Sequence, residues 1–276
     1  MLPTNNYLLE AIFLVKVLVN GAYGRMGRTV LNAVINDDEL ELVGAVDVIG
    51  GADTGELTGN KANGIIIETD LAKALDSHKP DVMVDFTQPK VVFNNVITAL
   101  EHKVSPVVGT TGLTDEAKEK IRQTSEANDT PVFIAPNFAI GAVLMMLMAQ
   151  QAAKYLPDVE IIELHHDQKL DAPSGTAELT AKMISEVRTK HEQGHPNEVE
   201  KIANVRGGNV DGIRIHSVRL PGYVAHQEVI FGGLGQTLTI RHDSTGRDSF
   251  MPGVVLACKK VRSLKGLTIG LDKLLV

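Results

Sequence analysis

The chain has 276 residues, of which 43% are hydrophobic, so it is long enough to bury the core of one large or two ordinary domains. Its formal net charge of -7 and its lack of a long Lys/Arg run argue against nucleic acid or a membrane surface as a partner. No stretch approaches the ~18–20 apolar residues of a membrane span, and we expect a cytoplasmic protein.

Residues 1–14 are predicted to form an N-terminal extension. They contain no basic segment, Glu10 interrupts their apolar run, and no small-residue cleavage site follows, so the pattern does not match a secretory signal peptide.

The next 124 residues, 15–138, alternate strands with helices. The predicted strands begin at Val15 and then cover 41–46, 64–67, 81–86, 104–109 and 131–135. The predicted helices follow the glycine turn after the first strand and then cover 69–77, 89–102 and 114–127. This alternation predicts an α/β domain whose parallel sheet is covered by helices on both faces.

After Asn137 the pattern changes to that of an α+β domain with an open mixed sheet. The predicted elements are a buried helix over 140–155, a strand over 158–166, a helix over 176–190, a loop or edge segment over 191–211, and strands over 213–220, 223–232 and 236–243. A tight turn at Pro221-Gly222 is expected to join the first two of those last strands. Met145, Met146 and Met148 are assigned to the core, because methionines at helical spacing usually pack there.

A final helix over 248–262 is expected to return to the first domain. The predicted division is therefore 15–138 with 247–276 for the first domain and 139–246 for the second, with hinges at Asn137–Ala139 and Ser244–Arg247. The single cysteine, Cys258, lies among apolar and Lys neighbours and is predicted to be a core residue.

A glycine turn, Gly21-Ala22-Tyr23-Gly24-Arg25-Met26-Gly27, follows the first strand and opens a helix. Free backbone N–H groups in such a turn bind pyrophosphate. Asp47 ends the second strand, where an acidic side chain accepts hydrogen bonds from the adenosine ribose, so we predict dinucleotide binding. A carboxylate here repels a 2′-phosphate, and no arginine follows in Val48-Ile49-Gly50, so we expect NADH to be preferred over NADPH.

Two more loops follow strands of the same sheet and are predicted to contact the nicotinamide. They are Gly109-Thr110-Thr111, within the sequence GTTG, and Ala135-Pro136-Asn137-Phe138. A plain strand-to-helix turn explains the GTTG spacing equally well.

The segment ELHHDQKLDAPSGTA, residues 163–177, combines two histidines, a lysine and a helix start. On a strand His165 and His166 point to opposite faces, whereas His165 and Lys169 can lie on one side and supply a proton. The helix starting near Ser174 offers the N–H groups of Gly175 and Thr176 to a carboxylate. Adjacent histidines without i, i+4 spacing make a poor metal site, and none is predicted.

Four motifs in this order, GxxGRMG, VVGTTG, PNFxxG and ELHHxxKxDAPSGTA, make the chain resemble the 4-hydroxy-tetrahydrodipicolinate reductase (dihydrodipicolinate reductase) family. The resemblance runs from about Val15 to the C-terminus. It implies a Rossmann-type dinucleotide-binding domain and a substrate domain whose open sheet mediates assembly of a homotetramer. It also implies hydride transfer from NAD(P)H to a cyclic imine dicarboxylate in lysine and diaminopimelate biosynthesis.

The same resemblance implies roles for individual residues. His165 would be the acid/base residue and Lys169 the proton donor, while His166, Gly175 and Thr176 would bind the substrate carboxylates. The cofactor would contact Gly21, Ala22, Tyr23, Gly24, Arg25, Met26, Asp47, Gly109, Thr110, Thr111, Ala135, Pro136, Asn137 and Phe138. The chain departs from the family pattern at Tyr23, at the missing arginine after Asp47, and in residues 1–14.

Two alternatives remain open at this point. One is another two-domain NAD-dependent dehydrogenase acting on an amino acid or semialdehyde, although Cys258 is misplaced for phosphorylating aldehyde chemistry. The other is a non-catalytic dinucleotide sensor, although the sequence has no basic helix-turn-helix pattern.

Overall fold

The computed structural model describes residues 14–190 and 193–275, so the predicted extension lies, apart from Leu14, outside the described residues. Residue contacts divide the chain into two compact units. The first runs to Pro136 and includes Val254–Gly270, and the second comprises Asn137–Gly253 and the residues from Leu271. No helix in the described ranges is long and apolar enough to cross a membrane.

In chain order the elements are β1 (Val15–Asn20), α1 (Arg25–Ile35), β2 (Leu40–Val46), α2 (Thr54–Leu57), α3 (Leu71–His78), β3 (Val82–Asp85), α4 (Val92–Glu101), β4 (Ser105–Val108), α5 (Asp115–Asn128), β5 (Val132–Ile134), α6 (Ile140–Ala152), β6 (Asp158–His165), α7 (Gly175–Ser185), β7 (Gly208–Val210), β8 (Ile213–Arg219), β9 (Ala225–Gly233), β10 (Gln236–Ser244), α8 (Met251–Lys260), β11 (Leu267–Ile269) and α9 (Asp272–Leu275).

The first unit contains a six-stranded parallel sheet in the order β11-β5-β4-β3-β1-β2. Its central strands are largely apolar because helices cover both faces, and β3 and β4 are buried at every residue, including Asp85 at the end of β3. The predicted parallel α/β sheet is thereby confirmed. β2 lies on one side of β1 and β3 lies on the other, so the direction of the strand order reverses between β1 and β3. Ligands of such sheets bind at the carboxyl ends of the two strands that flank this reversal.

The second unit contains a five-stranded mixed sheet in the order β10-β9-β6-β8-β7. β6 is central, pairing parallel with β8 and antiparallel with β9. Val159, Ile161 and Glu163 alternate along β6 as its buried positions, and helices α6 and α7 contact the sheet. The predicted open mixed sheet is confirmed.

The tight turn predicted at Pro221-Gly222 is present, but the two strands that it joins are not neighbours in the sheet, because β6 lies between β8 and β9. The connecting residues instead pass the end of β6, where the Leu220 N–H donates to the His165 carbonyl oxygen at 3.1 Å.

Other boundaries also differ from the prediction. The helix predicted over 176–190 ends at Ser185, and the strand predicted over 64–67 is reduced to two isolated bridges, Val46 with Glu68 and Asp53 with Ile66. Residues near the C-terminus add β11, which pairs with β5. Met145 and Met146 are buried as predicted, but Met148 is 55% exposed because only one face of α6 is covered within the unit.

Candidate active site

The glycine turn after β1 has the close approaches that a phosphate-binding loop requires. Gly21 has a φ of +84°, and a Cβ there would lie 2.4 Å from the Phe86 carbonyl oxygen. A Cβ on Gly27 would lie 2.0 Å from the Gly21 carbonyl oxygen, so a side chain would push the turn off the helix. Gly24 caps α1 without a side-chain hydrogen bond, and the first turn of α1 has no acidic residue. The first N–H groups of α1 are therefore suited to a pyrophosphate.

Asp47 is tied to the same turn. Its Oδ2 accepts the Tyr23 N–H at 2.9 Å, and its Oδ1 accepts the Ile49 N–H at 3.3 Å. A carboxylate has about four acceptor positions, so two remain for a ribose diol. The guanidinium of Arg28 stacks 4.6 Å from the Tyr23 ring centroid and donates to the Tyr23 carbonyl oxygen. This arrangement and the glycine turn fit the adenosine half of a dinucleotide.

Asp85, a buried carboxylate outside the four motifs, organises the edge of the sheet between β1 and β4. Its Oδ2 accepts from the amides of Asn20 and Asn95 at 3.0 and 2.9 Å. Its Oδ1 accepts from the Thr87 N–H and hydroxyl and, at 2.6 Å, from the Thr110 hydroxyl. Asp85 thus joins the residue before the glycine turn to the GTTG loop.

The GTTG loop is shaped by its neighbours. A Cβ on Gly109 would lie 2.1 Å from the Phe86 ring, so glycine is required for that ring to pack. The predicted site residue Thr110 is buried and bound to Asp85, whereas Thr111 is exposed.

The last predicted cofactor segment spans the boundary between the two units. Ala135 is buried, and its N–H donates to the Val108 carbonyl oxygen at 3.1 Å, while Pro136 is exposed. In the second unit Phe138 is buried. The Asn137 amide oxygen accepts the Ala139 N–H, and its nitrogen donates to the Thr176 hydroxyl at 3.3 Å, which links two predicted site segments.

His165 ends β6 beside a buried ion pair. Its Nδ1 lies 2.5 Å from Oε2 of Glu163, whose side chain is fully buried. The two terminal nitrogens of Arg219 donate to Oε2 and Oε1 of the same carboxylate at 2.8 and 2.7 Å. Burial alone would raise the pKa of the Glu163 carboxyl, but hydrogen bonds from His165 and Arg219 outweigh it and lower that pKa from 4.5 to about 2. His166 is exposed just beyond the strand.

Lys169 and the start of α7 lie in the loop after β6. The Lys169 Nζ is 2.7 and 2.8 Å from the two carboxylate oxygens of Asp171, and this contact lowers the pKa of the Asp171 carboxyl. Ser174 caps α7 by accepting the Ala177 N–H. Gly175 is exposed, with no heavy atom within 4 Å of the place where a Cβ would stand, so its backbone is open to a ligand.

Glu163 stands within the motif ELHHxxKxDAPSGTA, but the motif alone predicts no role for it. A signal was available, since Glu163 is two residues before His165 and therefore on the same face of a strand. Arg219 is 56 residues from Glu163, and no local pattern connects them. Cys258 is buried as predicted, and burial raises the pKa of its thiol to about 12. Over residues 14–190 and 193–275, no group of three His, Cys, Asp or Glu side chains is arranged to hold a metal ion.

Comparison with known proteins agrees with this geometry. Residues 15–138 match the family "Dihydrodipicolinate reductase, N-terminus", and residues 141–275 match "Dihydrodipicolinate reductase, C-terminus". A 4-hydroxy-tetrahydrodipicolinate reductase from Desulfitobacterium hafniense is 56% identical over 95% of this chain and 98% of its own length. The reductase of the same name from Syntrophomonas wolfei is 52% identical over 94% of this chain and 98% of its own length.

A solved structure is similar over nearly the whole chain. It is a dipicolinate-bound dihydrodipicolinate reductase from Paenisporosarcina sp. TG-14, with a TM-score of 0.85, 47% identity, and coverage of 95% of this chain and 99% of that one. The two matched families together cover both units, and the chain therefore belongs to the dihydrodipicolinate reductase family.

Proposed function

We propose that this chain reduces 4-hydroxy-tetrahydrodipicolinate to tetrahydrodipicolinate in lysine and diaminopimelate biosynthesis, with a nicotinamide dinucleotide as hydride donor. The observation that carries the proposal is the segment 163–177, in which an imidazole, an ammonium group and a helix N-terminus are connected to one buried ion pair. Relatives 50–56% identical carry the name of this reductase.

The reaction defines what the chain must supply. Replacing the 4-hydroxyl by hydrogen takes up one hydride and one proton and releases one water. The bound nicotinamide supplies the hydride, so the protein must provide the proton, hold the two carboxylates of the substrate and orient the ring.

For the proton, the proposal assigns His165 as the acid/base residue and Lys169 as the proton donor. Glu163 fixes the Nδ1 side of the imidazole, and the Asp171 carboxylate holds the Lys169 ammonium group by two hydrogen bonds. A positioned donor of this kind contributes about 10²–10⁴-fold to a rate.

For the carboxylates, the proposal assigns His166, Gly175 and Thr176. The N–H groups of Gly175 and Thr176 lie in the first turn of α7, where backbone donors have no partner within the helix. The helix dipole adds a favourable interaction with a negative charge at this end.

For the dinucleotide, the proposal assigns the pyrophosphate to the turn from Gly21 to Met26 and the ribose to Asp47. The nicotinamide would be held by Gly109 to Thr111 and Ala135 to Phe138. The tight glycine contacts and the open N-terminus of α1 support this assignment.

Substitution of the two proton-handling residues tests the site. His165→Gln and Lys169→Ala are each expected to lower kcat by about two orders of magnitude. Lys154→Ala, which removes an exposed lysine bound to Gln151, should leave kcat within about twofold. Wild-type kcat in both site variants would refute the assignment.

We also propose that NADH is preferred over NADPH. The Asp47 carboxylate would repel a 2′-phosphate by about 1 kcal/mol or more at contact distance. Asp47→Asn removes the charge but keeps an oxygen for the Tyr23 N–H, and it should shift the kcat/KM ratio of the two donors toward NADPH by roughly tenfold. A wild-type kcat/KM at least tenfold higher with NADPH would contradict this preference.

Two further features belong to the proposal. We expect a cytoplasmic homotetramer whose chains associate through the sheet of the second unit. Support comes from the face of that sheet where the apolar side chains of Ile162, Leu164 and Ile230 are only partly buried within the unit. Light scattering should give four times the chain mass, and fractionation should recover the protein with cytoplasmic markers. The mass of one or two chains would contradict the tetramer.

A further inference from the structure

The Glu163 carboxylate receives hydrogen bonds from three separate parts of the second unit. His165 contacts it from the same strand, and the guanidinium group of Arg219 reaches it from β8. The N–H of Ser174, the N-cap residue of α7, donates to Oε1 at 3.2 Å. The Glu163 side chain has no solvent exposure. A carboxylate so placed can only accept hydrogen bonds, so the atom facing it must carry a proton.

Arg219 extends the connection to the lysine. One of its terminal nitrogens, Nη2, contacts Glu163 and also donates to the Asp171 carbonyl oxygen at 2.8 Å. The Asp171 side chain in turn holds the Lys169 ammonium group. The Glu163–Arg219 pair therefore positions both residues that the proposed function uses for proton supply.

We propose that Glu163 is a positioning residue for the reaction. It accepts a hydrogen bond from the Nδ1–H of His165 and thereby presents Nε2 as the atom that exchanges a proton with the substrate. Without this contact the imidazole can turn about its χ2 angle and can place its proton on either nitrogen. The inference rests on the proposed role of His165, because Glu163 acts through that residue. It assigns Glu163 no contact with the substrate.

A second Glu–Arg–His group in the same sheet provides a matched control. Glu160, three residues earlier and on the opposite face of β6, receives Arg206 at 2.5 Å and Nε2 of His216 at 2.8 Å. It combines the same three residue types, but its side chain is 29% exposed and its partners Arg206 and His216 are not proposed site residues.

The test is the kcat and KM of Glu163→Gln measured alone and combined with His165→Gln. Alone, Glu163→Gln should lower kcat by about 10- to 100-fold with KM changed by less than about threefold, because the lost proton geometry matters in the transition state. Added to His165→Gln, it should lower kcat by less than about threefold further, since the residue it positions is already gone. Glu160→Gln should leave kcat within about twofold.

Two results would overturn the inference. One is a wild-type kcat in Glu163→Gln, and the other is an equal loss from Glu163→Gln in both backgrounds, which marks a general structural role. Absence of turnover in the wild-type enzyme would instead remove the proposed function, so the two failures are distinguishable.

A measurement on the wild-type protein keeps the inference testable if Glu163→Gln does not fold. In ¹⁵N-histidine-labelled protein, the His165 signals are assigned by their loss in His165→Gln. Under conditions where the ring is neutral, the inference predicts a protonated Nδ1 and an unprotonated Nε2. The opposite tautomer would overturn it.

Discussion

Replacing Asp85 with asparagine tests whether one buried carboxylate holds the dinucleotide edge of the first unit together. The carboxylate accepts five hydrogen bonds, from Asn20, Asn95, Thr110 and both the N–H and hydroxyl of Thr87. Asparagine keeps the shape but exchanges one acceptor oxygen for a donor NH₂ group. With Asn20 and Asn95 in their present orientations, the new NH₂ group faces an N–H donor whichever way the amide turns.

The expected cost follows from that mismatch. If the new NH₂ group takes the Oδ2 position, it faces the amide donors of Asn20 and Asn95. If it takes the Oδ1 position, the threonine hydroxyls can rotate to accept its hydrogens, but the Thr87 N–H can only donate. A hydrogen bond to a charged group contributes about 1.5–3 kcal/mol, and a buried donor left unpaired costs about 1–3 kcal/mol. We therefore expect a loss of about 3 kcal/mol in the free energy of unfolding, which lowers Tm by roughly 6–12 °C.

Thermal unfolding of Asp85→Asn should be compared with that of Asp115→Asn, whose side chain is 95% exposed and pairs with Lys118 at the surface. The control should keep the Tm of wild type. Asp85→Asn should also weaken dinucleotide binding, because Asn20 precedes the glycine turn and Thr110 lies in the GTTG loop. Identical unfolding of the two variants would refute the reasoning.

Two other predictions concern the glycine turn and acid stability. Gly27→Ala should raise the dinucleotide Kd, measured by calorimetry, at least about tenfold, because its Cβ would lie 2.0 Å from the Gly21 carbonyl oxygen. Gly208→Ala, whose Cβ would lie 3.9 Å from its nearest neighbour, should leave the Kd unchanged. Equal affinities of the two variants would contradict the proposed pyrophosphate-binding turn. The lowered pKa of Glu163 contributes stability that is present above pH 4.5 and is lost as the pH falls to about 2. Between pH 4.5 and about 2, the free energy of unfolding of Glu163→Gln, measured by chemical denaturation, should therefore fall by on the order of 3 kcal/mol less than that of wild type. An equal fall in both proteins would show that the ion pair does not stabilise the folded state.

Much of the fold was predictable because its signals are local. The strands of the first sheet are short apolar runs with helices between them, and regular alternation of this kind requires a parallel sheet. Four short motifs predict the family, and matches over residues 15–138 and 141–275 confirm it. Cys258 was correctly placed in the core from its apolar neighbours.

The errors concern pairings between distant parts of the chain. Pro221-Gly222 has the composition of a hairpin turn, but the decisive fact is that β6 fills the space between β8 and β9. β11 has only three residues and is a strand because β5 offers it an edge.

The same limit applies to the candidate site. Glu163 and Asp85 gain their roles from partners such as Arg219 and Thr110, which are 56 and 25 residues away. Such partners share no spacing rule, so three-dimensional geometry was needed to identify them.

The most direct test of the central proposal is turnover with the substrate. The purified protein is mixed with NADH and the freshly formed condensation product of aspartate semialdehyde and pyruvate, and the absorbance of the reduced nicotinamide is followed. The account predicts oxidation that depends on the condensation product and falls by about two orders of magnitude in His165→Gln. No oxidation above background with either NADH or NADPH would contradict it.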